Sequence, residues 1–299
     1  MKKAFSLVEL LVVIAIIAIL AGVILGTFSG GTESARAAKC LTNMRNLAAA
    51  CQSYGMARDY YPTAGSAEIK DPDEETGKLY YYEHLGWIGW NSRGTYNERK
   101  LSPCGSQAWH TSTYNTDEET RKYVLTNSVL WKYVSCNADV YRCPVHVQKM
   151  KDLNPNWSYV MNAYFGWDST HQARVGIAHE YGALKRADRR LLFAELPFAG
   201  LSGQSVPTGT SGEQCDCVLQ YDGCKGCGTP ESIGFNHKVG KRSVYAHVCF
   251  ADGHVEKLAA SKGMSETDMR KLTKWLCEGY DVSFNGKQYE KLSRNENNN

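Results

Sequence analysis

Two groups of side chains have the types and spacing to do chemistry. The first is Cys215, Cys217, Cys224 and Cys227, inside a Gly-rich stretch covering residues 203–228. Four thiols this close can hold zinc as a knuckle or cross-link locally. A Cys-x-Cys first half is unusual for zinc, and the chain's 11 cysteines suit an oxidising compartment, which favours local disulfides over the metal. The odd count leaves at least one thiol free or shared between molecules. The second group is His237, His247 and His254 with Asp252, imidazoles and a carboxylate that could bind a metal or activate water. No nucleophile stands in a recognisable frame with its base, and Gly-x-Ser-x-Gly, His-Glu-x-x-His and phosphate-loop motifs are absent. Each histidine is more simply a polar surface or turn residue. The reading is of a protein that is not an enzyme and needs no cofactor.

The other charge in an unexpected place is Glu9. From Leu10 to Thr32 the chain carries no charge, and Lys2 and Lys3 precede the apolar run. A bilayer core takes roughly 20 such residues as a helix, and basic residues on the short side keep that end cytoplasmic, so the remainder is exported. Glu9 lies within the apolar run, where a carboxylate costs on the order of 3 kcal/mol at mid-membrane depth and less near an interface. It either snorkels among headgroups or answers a cation.

The residues Lys2-Lys3-Ala4-Phe5-Ser6-Leu7-Val8-Glu9-Leu10-Leu11-Val12-Val13-Ile14-Ala15-Ile16 resemble the N-terminal signal of type IV pilins and type II secretion pseudopilins. The resemblance implies a leader of residues 1–4, cut by a prepilin peptidase between Ala4 and Phe5, and methylation of the new Phe5 amine. It also implies an assembly role for Glu9 at the fifth mature position, paired with that amine on the same or a neighbouring subunit. Ala4 stands where the family usually has Gly. A second stretch, Cys40-Leu41-Thr42-Asn43-Met44-Arg45 followed by Tyr54 and Tyr61-Pro62, is similar to a large-headed subfamily, as are Cys143-Pro144, Ser158-Tyr159 with Asn162, and the apolar segment ending in Glu195. That subfamily's C-terminal signature is a His, about nine residues, then Asp-Gly-His-Val. Here Asp252, Gly253 and His254 fit. His237 lies too far ahead and His247 too near, as an insertion around residues 238–242 would produce.

These residues need elements to hold them. Leu41, Met44, Leu47, Ala48, Cys51 and Tyr54 recur at steps of three and four, while Arg36, Lys39, Asn43, Arg45, Asn46 and Gln52 largely occupy other faces, the pattern of an amphipathic helix. With the apolar run it predicts one rod ending near Arg58, softened or kinked at Gly22, Gly26, Gly30 and Gly31. Cys40 and Cys51 share a face but lie about 16 Å apart along the axis, too far to pair. The aromatic run Tyr80 to Trp90 reads as strand and core, with a stacking platform for polysaccharide as the alternative. Helical spacing returns from Thr116 to Tyr133. Residues 157–166 and 190–195 read as antiparallel strands, and 243–258 as a hairpin about a two-residue Asp252-Gly253 turn. Ser265 and Asp268 resemble a capping box opening a helix through Trp275.

The organisation expected is a leader at 1–4, a membrane half-helix at 5–30, an amphipathic half at 31–58, an exported head at 59–299, and a disordered tail at 295–299. The fold class is α+β, a long N-terminal helix packed on a mainly antiparallel sheet. At 299 residues, 43% hydrophobic and 22% charged, the chain can build a sizeable core, and a net charge of +3 makes no case for nucleic acid. The resemblance implies a pilin-like subunit of a type II secretion or type IV pilus-like assembly at the bacterial inner membrane. Its partners would be the prepilin peptidase and other pilin-like subunits. The alternative is a membrane-anchored module binding polysaccharide or a secreted protein.

Overall fold

The computed structural model describes residues 7–64, 67–72, 79–84, 86–88, 125–126, 128–149, 157–165, 180–197, 218–219, 221, 232–239, 243–261, 264–285 and 288–292, with the backbone alone for 21–31, 67–72, 79–84, 218, 239, 261 and 266. Lys2, Lys3, Ala4 and Phe5 lie outside these residues, as do Cys215, Cys217, Cys224 and Cys227, the tail and most of the Gly-rich loop.

One helix, α1 (Leu7–Arg58), is 52 residues long and spans about 78 Å. It runs through Gly22, Gly26, Gly30 and Gly31 without interruption, so the expected soft spot is not a break in the helix. Among the described residues no helix is long and apolar enough to cross a membrane. The part of the apolar run with described side chains, 7–20, is shorter than the roughly 20 residues a bilayer requires. Those side chains are exposed.

The second half of α1 behaves differently. Ala37, Cys40, Met44, Leu47, Ala48 and Cys51 are buried, one stripe at steps of three and four laid on the sheet. Burying a Leu or Met side chain stabilises by roughly 1.5–3 kcal/mol, so this stripe holds the rod to the head. Asn43, expected on another face, is also buried. Its Nδ2 donates to the carbonyls of Asp139 and Arg142, each at 2.8 Å, where the chain leaves the 3₁₀ turn Ala138–Tyr141. An amide with two donors can replace an apolar residue at such a seam because its own polar group is satisfied there, tying the helix to the turn.

The head follows in order: β1 (Ala67–Pro72) and β2 (Leu79–His84), an antiparallel pair; a 3₁₀ turn, Trp131–Val134; the turn Ala138–Tyr141; α2 (Pro144–Lys149); β3 (Tyr159–Asn162); β4 (Leu191–Glu195); β5 (Val218–Leu219); β6 (His237–Val239); β7 (Ser243–Phe250); β8 (Val255–Ser261); α3 (Glu266–Cys277); and a small pair, β9 (Val282–Phe284) and β10 (Tyr289–Lys291). The fold is therefore α+β, with the long helix on an antiparallel sheet; one parallel neighbour, β5 beside β3, departs from the expected pattern. Of the helix expected over 116–133, residues 125–126 and 128–133 are described: 125–126 are helical and 131–134 form a 3₁₀ turn. Trp87 and Ile88 are fully buried, with Trp87 packed against Tyr141 and Phe193, so this part of the aromatic run is core. The Ser265 hydroxyl accepts from the Asp268 amide and caps α3, as the box predicts.

β7 is the hub of the sheet. β8 pairs along one edge, from Ser243↔Ser261 to Cys249↔Val255. The other edge is shared end to end: β4 pairs at Phe250, Cys249 and Val248, and β6 pairs at Tyr245, Val244 and Ser243. Between the end of β4 and the start of β6, opposite His247, the ladder has a gap.

Candidate functional site

That gap is filled by the carboxylate of Glu195. A strand reading Leu191-Leu192-Phe193-Ala194-Glu195 is buried throughout, so its terminal acid is carried inside with the apolar residues. A buried carboxylate must find donors. Glu195 Oε1 accepts from the His247 backbone amide at 3.0 Å, where the missing strand would have bonded, and from His247 Nδ1 at 3.0 Å. It also accepts from His237 Nε2 at 2.9 Å and from the Cys40 thiol of α1 at 3.1 Å. Tyr159 Oη lies 3.4 Å from Cys40 Sγ, and Cys143 Sγ lies 3.9 Å from His237 Nε2. Below them His146 Nδ1 meets the Ser158 hydroxyl at 2.9 Å.

Cys40, Glu195, His237 and His247 are at most 1% exposed, and their four potential ligand atoms all lie within 4.8 Å of one another. Burial works against a charged Glu195, but the His237 imidazolium and the hydrogen bonds of both histidines hold its carboxyl well below the usual carboxylate range. Burial likewise opposes charge on His237, yet Glu195 pushes it up to about 10. Burial holds the Cys40 thiol well up, in its protonated form, whereas Cys143 is lowered to about 7: its own burial is outweighed by hydrogen bonds from Cys40 and His237. The result is a buried ion pair flanked by the sulfurs of Cys40 and Cys143. A set of one thiol, one carboxylate and two imidazoles can hold a divalent metal ion.

The remaining sequence candidates separate. His237 and His247 meet, with rings 4.7 Å apart, whereas Asp252 and His254 pair with each other at 2.5 Å at the exposed β7–β8 turn, and His254 reaches Glu256 at 3.3 Å. The anticipated grouping of three histidines with Asp252 is thus split between two places. The turn itself has three residues rather than two: the Gly253 amide donates to the Phe250 carbonyl, the Phe250 amide to the His254 carbonyl, and Gly253 has φ +92°. This is the loop that a glycine in the left-handed region closes. Its top faces the helix, where Gln52 Nε2 donates to the Asp252 carbonyl at 2.7 Å, and Tyr61, just past the end of α1, donates its hydroxyl to the Ala251 carbonyl at 3.0 Å. Glu9 lies in the first turn of α1 and is exposed.

Cys40 and Glu195 enter the site without having been singled out for chemistry. The signal was available for Glu195, an acid ending a strand too apolar to reach water. Cys40, Cys51, Cys136, Cys143 and Cys249 all carry free thiols.

The fold defines a class, a rod-and-head α+β protein whose rod leaves the head with an exposed apolar end. Within it, residues 1–25 match the prokaryotic N-terminal methylation motif. The chain therefore carries a type IV pilin-like prepilin signal, of the kind a prepilin peptidase processes. No curated protein and no solved structure matches it significantly.

Proposed function

We propose that this protein is a pilin-like structural subunit, a pseudopilin of a type II secretion or type IV pilus-like assembly, anchored in the inner membrane with its head outside. The carrying observation is the prepilin motif at residues 1–25, placed at the start of one unbroken helix whose apolar side chains from Leu7 to Leu20 are exposed. Exposed apolar surface of that extent needs lipid or other helices around it. Lys2 and Lys3 keep the leader cytoplasmic, the peptidase cuts between Ala4 and Phe5, and the freed amine of Phe5 is methylated. Glu9 then pairs with such an amine in the assembled bundle, which sets the axial register of one subunit on the next. The role is assembly, with no catalytic turnover.

The test is the intact mass of the full chain after co-expression with a prepilin peptidase. Loss of residues 1–4 with gain of one methyl supports the reading; a chain that keeps Met1 in the presence of active peptidase refutes it.

A further inference from the structure

The Glu195 cluster carries more hydrogen bonding on one atom than a carboxylate is built to take. Four donors converge on Oε1: the thiol of Cys40, the imidazoles of His237 and His247, and the amide of His247. A carboxylate oxygen offers about two lone-pair sites. Oε2 of the same group is buried with no hydrogen-bond partner among the described residues, and so is Nδ1 of His237. A pair kept only for hydrogen bonding would spread its donors over both oxygens. Ligand atoms crowded about one point are what a cation requires.

We propose that Cys40 Sγ, Glu195 Oε1, His237 Nε2 and His247 Nδ1 bind one divalent ion of zinc's class. A four-coordinate ion with bonds of about 2.0–2.3 Å separates its ligand atoms by roughly 3.3–3.7 Å. The separations from Glu195 Oε1, 2.9 to 3.1 Å, are shorter than the ion would set, and all four atoms lie within 4.8 Å of one another, so the carboxylate draws back and the outer atoms close by up to about 1 Å to seat the ion. A thiolate with two imidazoles selects zinc or its neighbours over magnesium or calcium. The site is closed on all sides, which makes it structural: no position is left for substrate or water. Binding releases the Cys40 thiol proton and the Nε2 proton of His237 to solvent, and the Nδ1 proton that His247 gives to Glu195 moves to its Nε2. Tyr159 Oη, 3.4 Å from the sulfur, is placed to donate to the thiolate that results.

Three ligands come from β4, β6 and β7 and one comes from α1. The ion therefore clamps the rod to the head. This holds whether or not the subunit assembles as proposed above, and the two ideas fail by different measurements.

The experiment is Co²⁺ titration of the full chain, purified in detergent under reductant, followed by displacement with Zn²⁺ and zinc-edge X-ray absorption. One Co²⁺ per chain, with a thiolate-to-cobalt charge-transfer band and the visible bands of a tetrahedral ion, is expected. Cys40→Ser, which keeps a hydroxyl donor toward Glu195, is expected to lose the charge-transfer band. Replacing Cys215, Cys217, Cys224 and Cys227 together with Ser is expected to keep it. The wild-type zinc shell should contain both sulfur and imidazole. A band that survives Cys40→Ser, absence of any band, or a shell of sulfur alone overturns the proposal. If Cys40→Ser does not fold, the wild-type shell decides.

Discussion

Gly253 is the residue at which a turn and a helix compete for the same space. Its φ of +92° disfavours any side chain, and a Cβ built there collides with the amide of Gln52 on α1. Gly253→Ala therefore has two separable costs. The left-handed backbone costs about 1–2 kcal/mol. Moving Gln52 aside breaks its 2.7 Å bond to the Asp252 carbonyl, worth about 1 kcal/mol. The variant should lose about 2–3 kcal/mol in denaturant unfolding of the full chain in detergent, followed by near-ultraviolet dichroism, which reports the packed head rather than helix content. The decisive comparison is the same substitution in a Gln52→Ala background. With the amide gone only the backbone cost remains, so the two substitutions should couple by about 1 kcal/mol, above the 0.3–0.5 kcal/mol scatter of independent sites. Strict additivity would refute the claim that close approach of the helix, rather than the turn alone, demands glycine here.

Asn43→Ala removes both 2.8 Å bonds to the carbonyls of Asp139 and Arg142; a loss of about 1–2 kcal/mol in the same unfolding assay is expected. His146 is held neutral by burial, its pKa lowered from 6.5 to about 3. The unfolded chain binds that proton first on acidification, so stability is complete above about pH 6.5 and falls progressively between there and pH 3, by at most about 4–5 kcal/mol. His146→Gln should flatten that part of the acid-unfolding curve relative to the wild type, as measured by stability at successive pH values.

The long helix, the strands at 159–162 and 191–195, and the hairpin about Gly253 were legible because each has a local cause: spacing of apolar residues, β-rich runs, a turn dipeptide. The cap at Ser265 was legible for the same reason. The Asp252-Gly253 dipeptide indicated a turn but not its length, because the three-residue form is fixed by where β7 and β8 stop pairing and by Gln52 above it. Asn43 was misplaced because amphipathic patterning counts an amide as solvent-facing, whereas here two carbonyls of a distant turn accept from it. The site was half visible. His237 and His247 drew notice, but Cys40 and Glu195 come from elements 155 positions apart in sequence. Nothing local shows that β4 and β6 share one edge of β7, and that sharing alone makes the gap into which all four groups point.

The seam between rod and head has a mechanical consequence. Cys40, Asn43 and Gln52 attach α1 to Glu195, to the 138–142 turn and to the Asp252 loop respectively, at points spread over about 18 Å of helix. A pull along the rod loads these attachments side by side, in shear, so that they must yield together. A sideways pull peels them one after another, from whichever end is lifted. The joint is therefore stiff along the rod axis and compliant across it.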